Sequence, residues 1–103
     1  MADRDLLEMA AKALGLGRQF WDYEWVRGLG HMVTRRSMWN PLGNDGEALM
    51  LAASLRISIN FTSSHTECEI GEEIFSEEHM GEPWPATRRA IVRAAAELGR
   101  LMP

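Results

Sequence analysis

The sequence predicts an α+β fold in which three helices pack on a four-stranded antiparallel sheet made of two β-hairpins, in the order α-β-β-α-β-β-α. In three segments, apolar residues recur every three or four positions, as in helices with one buried face. Between them, apolar and polar residues alternate, as in strands with one buried face. The 103 residues form a single domain, 1–103, of a size that supports one modest core. Helices on both faces of the sheet would make a layered sandwich.

The N-terminal part of the chain predicts the first helix and the first hairpin. A helix is expected over Asp3–Leu14, because aspartates open it at the positive end of the helix dipole and glycines follow it. Phe20–Arg27 is predicted to be a strand, since its Trp-Asp-Tyr-Glu-Trp run alternates aromatic with acidic residues. Gly28-Leu29-Gly30 then supplies a hairpin turn. His31–Trp39 is the returning strand, although two arginines interrupt its alternation.

The stretch Trp39–Leu49 combines a turn, a helix cap and the start of an amphipathic helix. Asn40-Pro41 ends the preceding strand, because proline has no N–H to give to a sheet. Asn44 stands three residues before Glu47, which resembles a capping box with Asn in place of the usual Ser or Thr. The second helix is therefore predicted over Asp45–Leu55.

The remainder of the chain predicts the second hairpin and the last helix. Arg56–Thr62 is a strand with its isoleucines and phenylalanine on one face, and Glu67–Phe75 is its partner strand. Gly71 is interpreted as a bulge within that partner. Ser76–Pro85 is predicted to be a loop. The third helix runs over Ala86–Leu101, with the preceding proline suited to a first helical turn.

Three stretches cover roughly 40% of the chain: Asp3–Ala13, the pattern Trp39-Asn-Pro-Leu-x-x-Asp-Gly-x-Ala-Leu followed by Leu51-Ala52, and Pro85–Arg100. Together they resemble a family of small phage and prophage proteins, the phage alpha-beta-alpha sandwich domain family. The resemblance implies an α+β layered fold encoded in a tailed-phage or prophage genome, and it carries over no catalytic residues. The segments 15–38 and 58–82 match no family pattern, so a protein-specific role is expected there.

Composition and charge exclude several classes of function. No apolar run approaches the ~20 residues that span a bilayer, and the N-terminus lacks the basic and apolar regions of a signal peptide. The single cysteine, Cys68, has no internal partner for a disulfide. We therefore expect a protein of the bacterial host cytoplasm with no membrane partner. The net charge of −4 argues against a duplex nucleic-acid binder, which presents a broad basic surface.

The residues that could carry metal or catalytic chemistry do not form a convergent set. His65 and Cys68 lie three residues apart, but zinc takes four such ligands, and neither His31 nor His79 stands at a ligand-pair spacing. A Cys–His dyad needs a lowered thiol pKa, whereas the neighbouring glutamates would raise the pKa of Cys68. The paired glycines lack the third glycine of a dinucleotide-binding loop. We therefore expect no enzyme, no metal and no cofactor.

An acidic tract is the least ordinary feature of the chain. From Glu67 to Glu82 there are seven glutamates and no lysine or arginine. Such charges repel one another, and a basic partner protein would offset that repulsion. The alternative is a solvated hairpin face with no partner. The residues predicted to bind a partner are six of these glutamates and an exposed tryptophan between two prolines: Glu67, Glu69, Glu72, Glu73, Glu77, Glu78 and Trp84.

The leading hypothesis is a small non-enzymatic phage accessory protein that binds a host or phage protein with a basic surface, for example as an inhibitor of a host process. One alternative is a nucleic-acid-binding module that uses a basic row on the last helix, namely Arg88, Arg89, Arg93 and Arg100. The same row would otherwise be a solvated face with an Arg93–Glu97 pair. A third alternative is a structural homodimer joined through the strand that contains Trp21, Tyr23 and Trp25, unless those aromatic residues are core.

Overall fold

The computed structural model describes residues 2–15, 24–26, 31–33 and 38–103, which contain three helices and six strands. The elements are α1 Asp3–Ala13, β1 Glu24–Val26, β2 His31–Val33, β3 Met38–Trp39, α2 Asp45–Leu55, β4 Ser58–Phe61, β5 His65–Ile70, β6 Glu73–Glu78 and α3 Pro83–Leu101. The strands form two antiparallel sheets of three strands each, with the orders β1-β2-β3 and β4-β5-β6.

The predicted four-stranded sheet is wrong, because the second half of the chain contributes three strands, in the order α2-β4-β5-β6-α3. The interpretation of Gly71 as a bulge caused the error. Gly71 and Glu72 are instead the two-residue loop that joins β5 to β6, where Ile70 lies opposite Glu73. Gly71 has a φ of +58°, which glycine adopts readily at the first position of such a loop. β6 then continues to Glu78, into the segment predicted to be a loop.

The first hairpin also differs from its prediction. β1 falls inside the predicted strand Phe20–Arg27, while the predicted turn at 28–30 and the aromatic residues at 21 and 23 lie outside the described residues. The single returning strand His31–Trp39 is wrong, because β2 and β3 pair antiparallel with Met32 opposite Trp39.

The helices agree closely with their predictions. α2 has the predicted bounds, α1 ends one residue earlier, and α3 begins at Pro83, because proline at a first helical position lacks only an N–H that has no helical partner there. Within the described residues, no helix is long and apolar enough to cross a membrane.

α3 is the central element of the fold, in contact with α1, α2, β5 and β6. It is therefore buried on more than the one predicted stripe. Its buried residues are Ala86, Ala90, Ile91, Val92, Ala94, Ala95, Ala96 and Gly99. These side chains are mostly small, so neighbouring elements approach closely. At Gly99 the approach is closest, because an added Cβ would overlap the backbone of Met9 in α1.

The start of α2 is fixed by the turn and cap predicted there. Gly43 donates its N–H to the Asn40 carbonyl at 3.0 Å, which closes the turn. The Asn44 side chain accepts from the Glu47 N–H at 2.9 Å, as in a capping box. The Glu47 carboxylate, however, accepts from the Asn40 N–H at 2.6 Å rather than from Asn44. The cap therefore ties α2 to the turn that precedes it.

The β4–β6 sheet has one covered and one open face. Residues of β5 alternate between the faces, so Thr66 and Cys68 point inward and are fully buried, while Glu67 and Glu69 point outward. Helix α3 packs on the inner face. Among the described residues no element covers the outer face. Among the described residues, helices therefore cover only one face of this sheet.

Candidate functional site

The strand register divides the predicted acidic residues between the two faces of the sheet. Glu67 lies opposite Asn60 and Ser76, and Glu69 lies opposite Ser58 and Ile74, so these residues share the outer face. Glu78 belongs to the same face, opposite His65. Three of the six predicted glutamates therefore converge on one open surface, which we call the acidic face: Glu67, Glu69 and Glu78.

The other predicted glutamates lie elsewhere. Glu72 is exposed in the loop between β5 and β6, and Glu73 begins β6 on the side of the inner face. Glu77 is on the inner face and accepts a hydrogen bond from Arg93 at 2.8 Å, with Arg89 at 3.5 Å. Its charge is already neutralised by two guanidinium groups. Glu77 therefore joins β6 to α3, and it is not counted among the glutamates that are open to a partner.

The arginines of α3 each form an ion pair within the chain. Arg88 bonds the Leu42 carbonyl at 2.8 Å and the Asp45 carboxylate at 2.6 Å, which holds α3 against the start of α2. Arg89 also bonds Asp3 at 3.0 Å, which joins α3 to α1. The basic row predicted for nucleic acid thus connects the helices and the sheet.

Arg93 and Arg100 complete this set of internal contacts. Beyond its bond to β6, the Arg93 guanidinium lies 5.3 Å from the centroid of the Phe75 ring. The predicted Arg93–Glu97 pair is wrong, because Glu97 accepts from Arg100, with the Arg100 Nε at 2.9 Å. That hydrogen bond lowers the pKa of the Glu97 carboxyl and raises the pKa of Arg100.

Trp84 lies apart from the acidic face, beside an apolar pocket of about 380 Å³ between α2, β4 and the start of α3. Three large side chains in its lining are strongly exposed: Leu49 at 63%, Phe61 at 60% and Trp84 at 49%. Sequence periodicity had placed Phe61 on a buried strand face, and Leu49 beside the stripe of α2. Their exposure results from tertiary packing, since β4 is the edge strand and α2 contacts α3.

His65 and Cys68 occupy opposite faces of β5, so they do not converge on a metal ion. Cys68 is fully buried, and burial raises the pKa of its thiol to about 11. The cause is therefore burial rather than the neighbouring glutamates, which point the other way. In the part of the chain that the structure describes, no group of three or more His, Cys, Asp or Glu side chains is arranged to hold a metal.

A buried polar chain fixes the corner where β5, β6 and α3 meet. The Thr87 hydroxyl donates to the Pro83 carbonyl at 2.9 Å, so it accepts from the Thr66 hydroxyl, also at 2.9 Å. Thr66 in turn accepts from Nε2 of His79 at 2.7 Å, so that ring nitrogen carries a proton. Since Thr66 is fully buried, this arrangement holds the fold together and offers no nucleophile to a substrate.

Comparison of the chain with family models, curated proteins and solved structures gave no match. The resemblance to phage proteins therefore stays a hypothesis. The surfaces that the structure brings together are the acidic face and the apolar pocket, which lie on the two sides of the same sheet.

Proposed function

We propose that this protein is a small non-enzymatic binding domain that holds a basic partner protein against its acidic face. The observation that carries the proposal is the division of the glutamates. Glu77 on the inner side is paired with two arginines, whereas Glu67, Glu69 and Glu78 lie together on the outer face and make no ion pair with any described residue. Charge left unpaired on an open surface is available to an external cation.

The electrostatics of the sheet favour such a partner. Glu67 and Glu69 are next-nearest residues on one strand and share a face, so their carboxylates repel each other. The segment 42–82 contains nine acidic residues and one arginine, which concentrates the negative potential in this part of the chain. A basic surface brought against it relieves the repulsion, steers the encounter and selects against acidic proteins.

The resemblance to phage proteins suggests where the partner is found. A phage accessory protein of this kind acts in the host cytoplasm, on a host protein or on another phage protein, and inhibition of a host process fits an acidic surface that competes for a basic one. The arginines of α3 weigh against the alternative of nucleic-acid binding, because Arg88, Arg89 and Arg93 would have to leave their carboxylate partners to contact phosphate.

The test is capture of a partner from bacterial lysate, followed by titration of the identified protein at low and at physiological salt. The variant Glu67→Gln/Glu69→Gln/Glu78→Gln should weaken binding by more than about tenfold and flatten its salt dependence. A matched control with the same charge change, Asp5→Asn/Glu8→Gln/Glu82→Gln, alters acids that lie off the acidic face and should bind within about twofold of the unmodified chain. Equal effects in both variants would refute the proposal.

Nucleic-acid binding is tested separately by a mobility shift with a short DNA duplex at low salt. The ion pairs of α3 lead us to expect no retarded band. A retarded band that disappears on Arg89→Ala and weakens steeply with salt would instead favour the nucleic-acid alternative.

A further inference from the structure

β4 is an edge strand, and one side of it has no strand partner among the described residues. Thr62 donates its N–H to the His65 carbonyl at 2.9 Å across the turn between β4 and β5. Because hydrogen-bonded and non-hydrogen-bonded pairs alternate along an antiparallel ladder, Asn60 and Ser58 turn their backbone groups toward β5. Ile59 and Phe61 then turn theirs away from β5. Among the described residues, no strand pairs with that side of β4.

The edge at β4 lacks the features that normally prevent strand addition. Charged side chains and proline commonly protect exposed edges. The other edge of this sheet, β6, has three glutamates in six residues. β4, with the sequence Ser-Ile-Asn-Phe, has no charge and no proline. Of the two edges, β4 is therefore the one open to an incoming strand.

The side chains on the inner side of β4 point toward an apolar pocket. Ile59 and Phe61 line it together with Leu49 from α2 and Trp84 from α3. A strand laid antiparallel along β4 would place alternate side chains on this inner side, beside Ile59 and Phe61. The pocket thus selects apolar residues at every second position of the added strand.

The outer side of β4 favours the opposite chemistry. Its outward residues, Ser58 and Asn60, are short and uncharged, and beyond them stand Glu69 and Glu67 of β5. An added strand would lie about 10 Å from β5, twice the spacing of neighbouring strands. A lysine or arginine side chain on that strand and a glutamate side chain on β5 together span this distance, because the Ser58 and Asn60 side chains between them are short. The outer side therefore selects basic residues at the intervening positions.

We propose that the β4 edge captures an extended segment of a partner protein in which apolar and basic residues alternate. The segment pairs antiparallel with β4, with its backbone bonded to Ile59 and Phe61. Its apolar side chains enter the pocket, and its basic side chains reach Glu67 and Glu69. This inference rests on the proposed function only where basic side chains of the segment contact the acidic face. The backbone hydrogen bonds and the apolar pocket contribute independently of charge.

The probe is a fluorescein-labelled nine-residue peptide of alternating lysine and valine, titrated with the full chain and followed by anisotropy. Two modified peptides separate the contributions. Methylation of every valine nitrogen removes the donors that face β4, and should weaken binding by at least about tenfold. Replacement of every lysine by glutamate keeps the backbone and the valines, and should abolish binding by repulsion.

Two variants of the protein form a matched pair. Phe61→Lys places a charge at the mouth of the pocket and should weaken the lysine–valine peptide by more than about tenfold. Leu101→Lys is the control, because Leu101 is equally exposed at 65% but lies at the C-terminal end of α3, away from both the pocket and the acidic face. Its effect on peptide binding should be less than about threefold. Circular dichroism verifies that both variants are folded.

The following three results would each overturn the inference. Binding that tolerates valine methylation and Phe61→Lys but needs Glu67 and Glu69 would remove the edge docking while leaving the basic-partner proposal intact. Failure of the peptide to bind would also remove it. A concentration-dependent dimer in sedimentation velocity that Phe61→Lys dissociates would show that a second copy of this chain occupies the edge instead.

Discussion

Replacement of Gly99 by alanine tests whether the approach of α1 to α3 determines the stability of the fold. A Cβ at this position would overlap the Met9 carbonyl oxygen and lie 2.7 Å from its carbonyl carbon and 3.2 Å from its Cα. Carbon atoms in contact keep ~3.5–4.0 Å apart, and the oxygen is closer still, so α1 must move away by more than about 1 Å. The atoms that block the methyl group belong to backbone, which no rotamer change can displace.

The energetic cost follows from that displacement. A gap of ~0.5–1 Å forfeits a quarter to a half of each dispersion contact across the interface, which includes the buried Leu7 and Ala10 of α1. Overpacking of this kind costs about 1–3 kcal/mol, and the better helix propensity of alanine returns at most about 1 kcal/mol. We expect a net loss of about 1–2 kcal/mol in the free energy of unfolding.

The assay is urea denaturation followed by far-ultraviolet circular dichroism, with Gly46→Ala as control. Gly46 is an exposed glycine in α2 at which an added Cβ meets only the Asn44 side chain, at 3.4 Å. That substitution should leave stability unchanged or raise it by up to about 1 kcal/mol. If Gly99→Ala unfolds at the same urea concentration as Gly46→Ala, with an unchanged slope, the contact with α1 does not limit stability.

Three further predictions concern the core and the caps. Burial raises the pKa of Cys68 from 9.0 to about 11, so the free energy of unfolding should fall by about 2 kcal/mol as pH rises from 9 to 11, and Cys68→Ala should remove that fall in pH-dependent denaturation. Thr66→Val leaves the His79 N–H without its acceptor and should cost about 1–3 kcal/mol in urea denaturation. Asn44→Ala removes the acceptor of the Glu47 N–H and should lower the free energy of unfolding by about 1 kcal/mol, measured by thermal denaturation.

Each of these has a distinct contradicting result. The Cys68 thiol ionises more easily in the unfolded chain than in the folded one. Its contribution to the free energy of unfolding is therefore present below pH 9 and is lost progressively as the pH rises towards 11. A pH profile that Cys68→Ala does not change would contradict it. For the other two substitutions the control is Ser58→Ala on the exposed face, expected within about 0.5 kcal/mol of the unmodified chain. Losses no larger than that control would show that neither hydrogen bond matters.

Sequence patterns predicted the helices well because each helix signals itself locally. The apolar period of α2 and its Asn44 cap lie within one stretch of chain, and the structure reproduces both. The sheet was harder, because a glycine between two alternating runs fits a bulge or a two-residue turn equally well. β6 was also hard to predict, because glutamates occupy both of its faces at its C-terminal end, a composition that is typical of a loop.

The candidate site was harder still to predict from sequence, because its contacts join residues that are far apart in the chain. Arg89 bonds Asp3 across 86 residues of sequence, and Arg93 bonds Glu77 across 16, so local spacing favoured the wrong pair, Arg93 with Glu97. Which glutamates lie on the open face depends on the strand register, because a shift of one residue moves every side chain of a strand to the other face. The edge at β4 became visible only once the strand order was known.

The central position of α3 has a consequence for how the chain matures during synthesis. The ribosome makes α1 before the strands of the β4–β6 sheet, and it makes α3, against which α1 packs, after them. Until then Leu6 and Leu7 have no surface to cover them, and the inner face of the β4–β6 sheet lacks its helix as well. Assembly of the core must therefore wait until α3 has been synthesised, and a nascent chain stalled before α3 would present exposed apolar surface to chaperones and proteases.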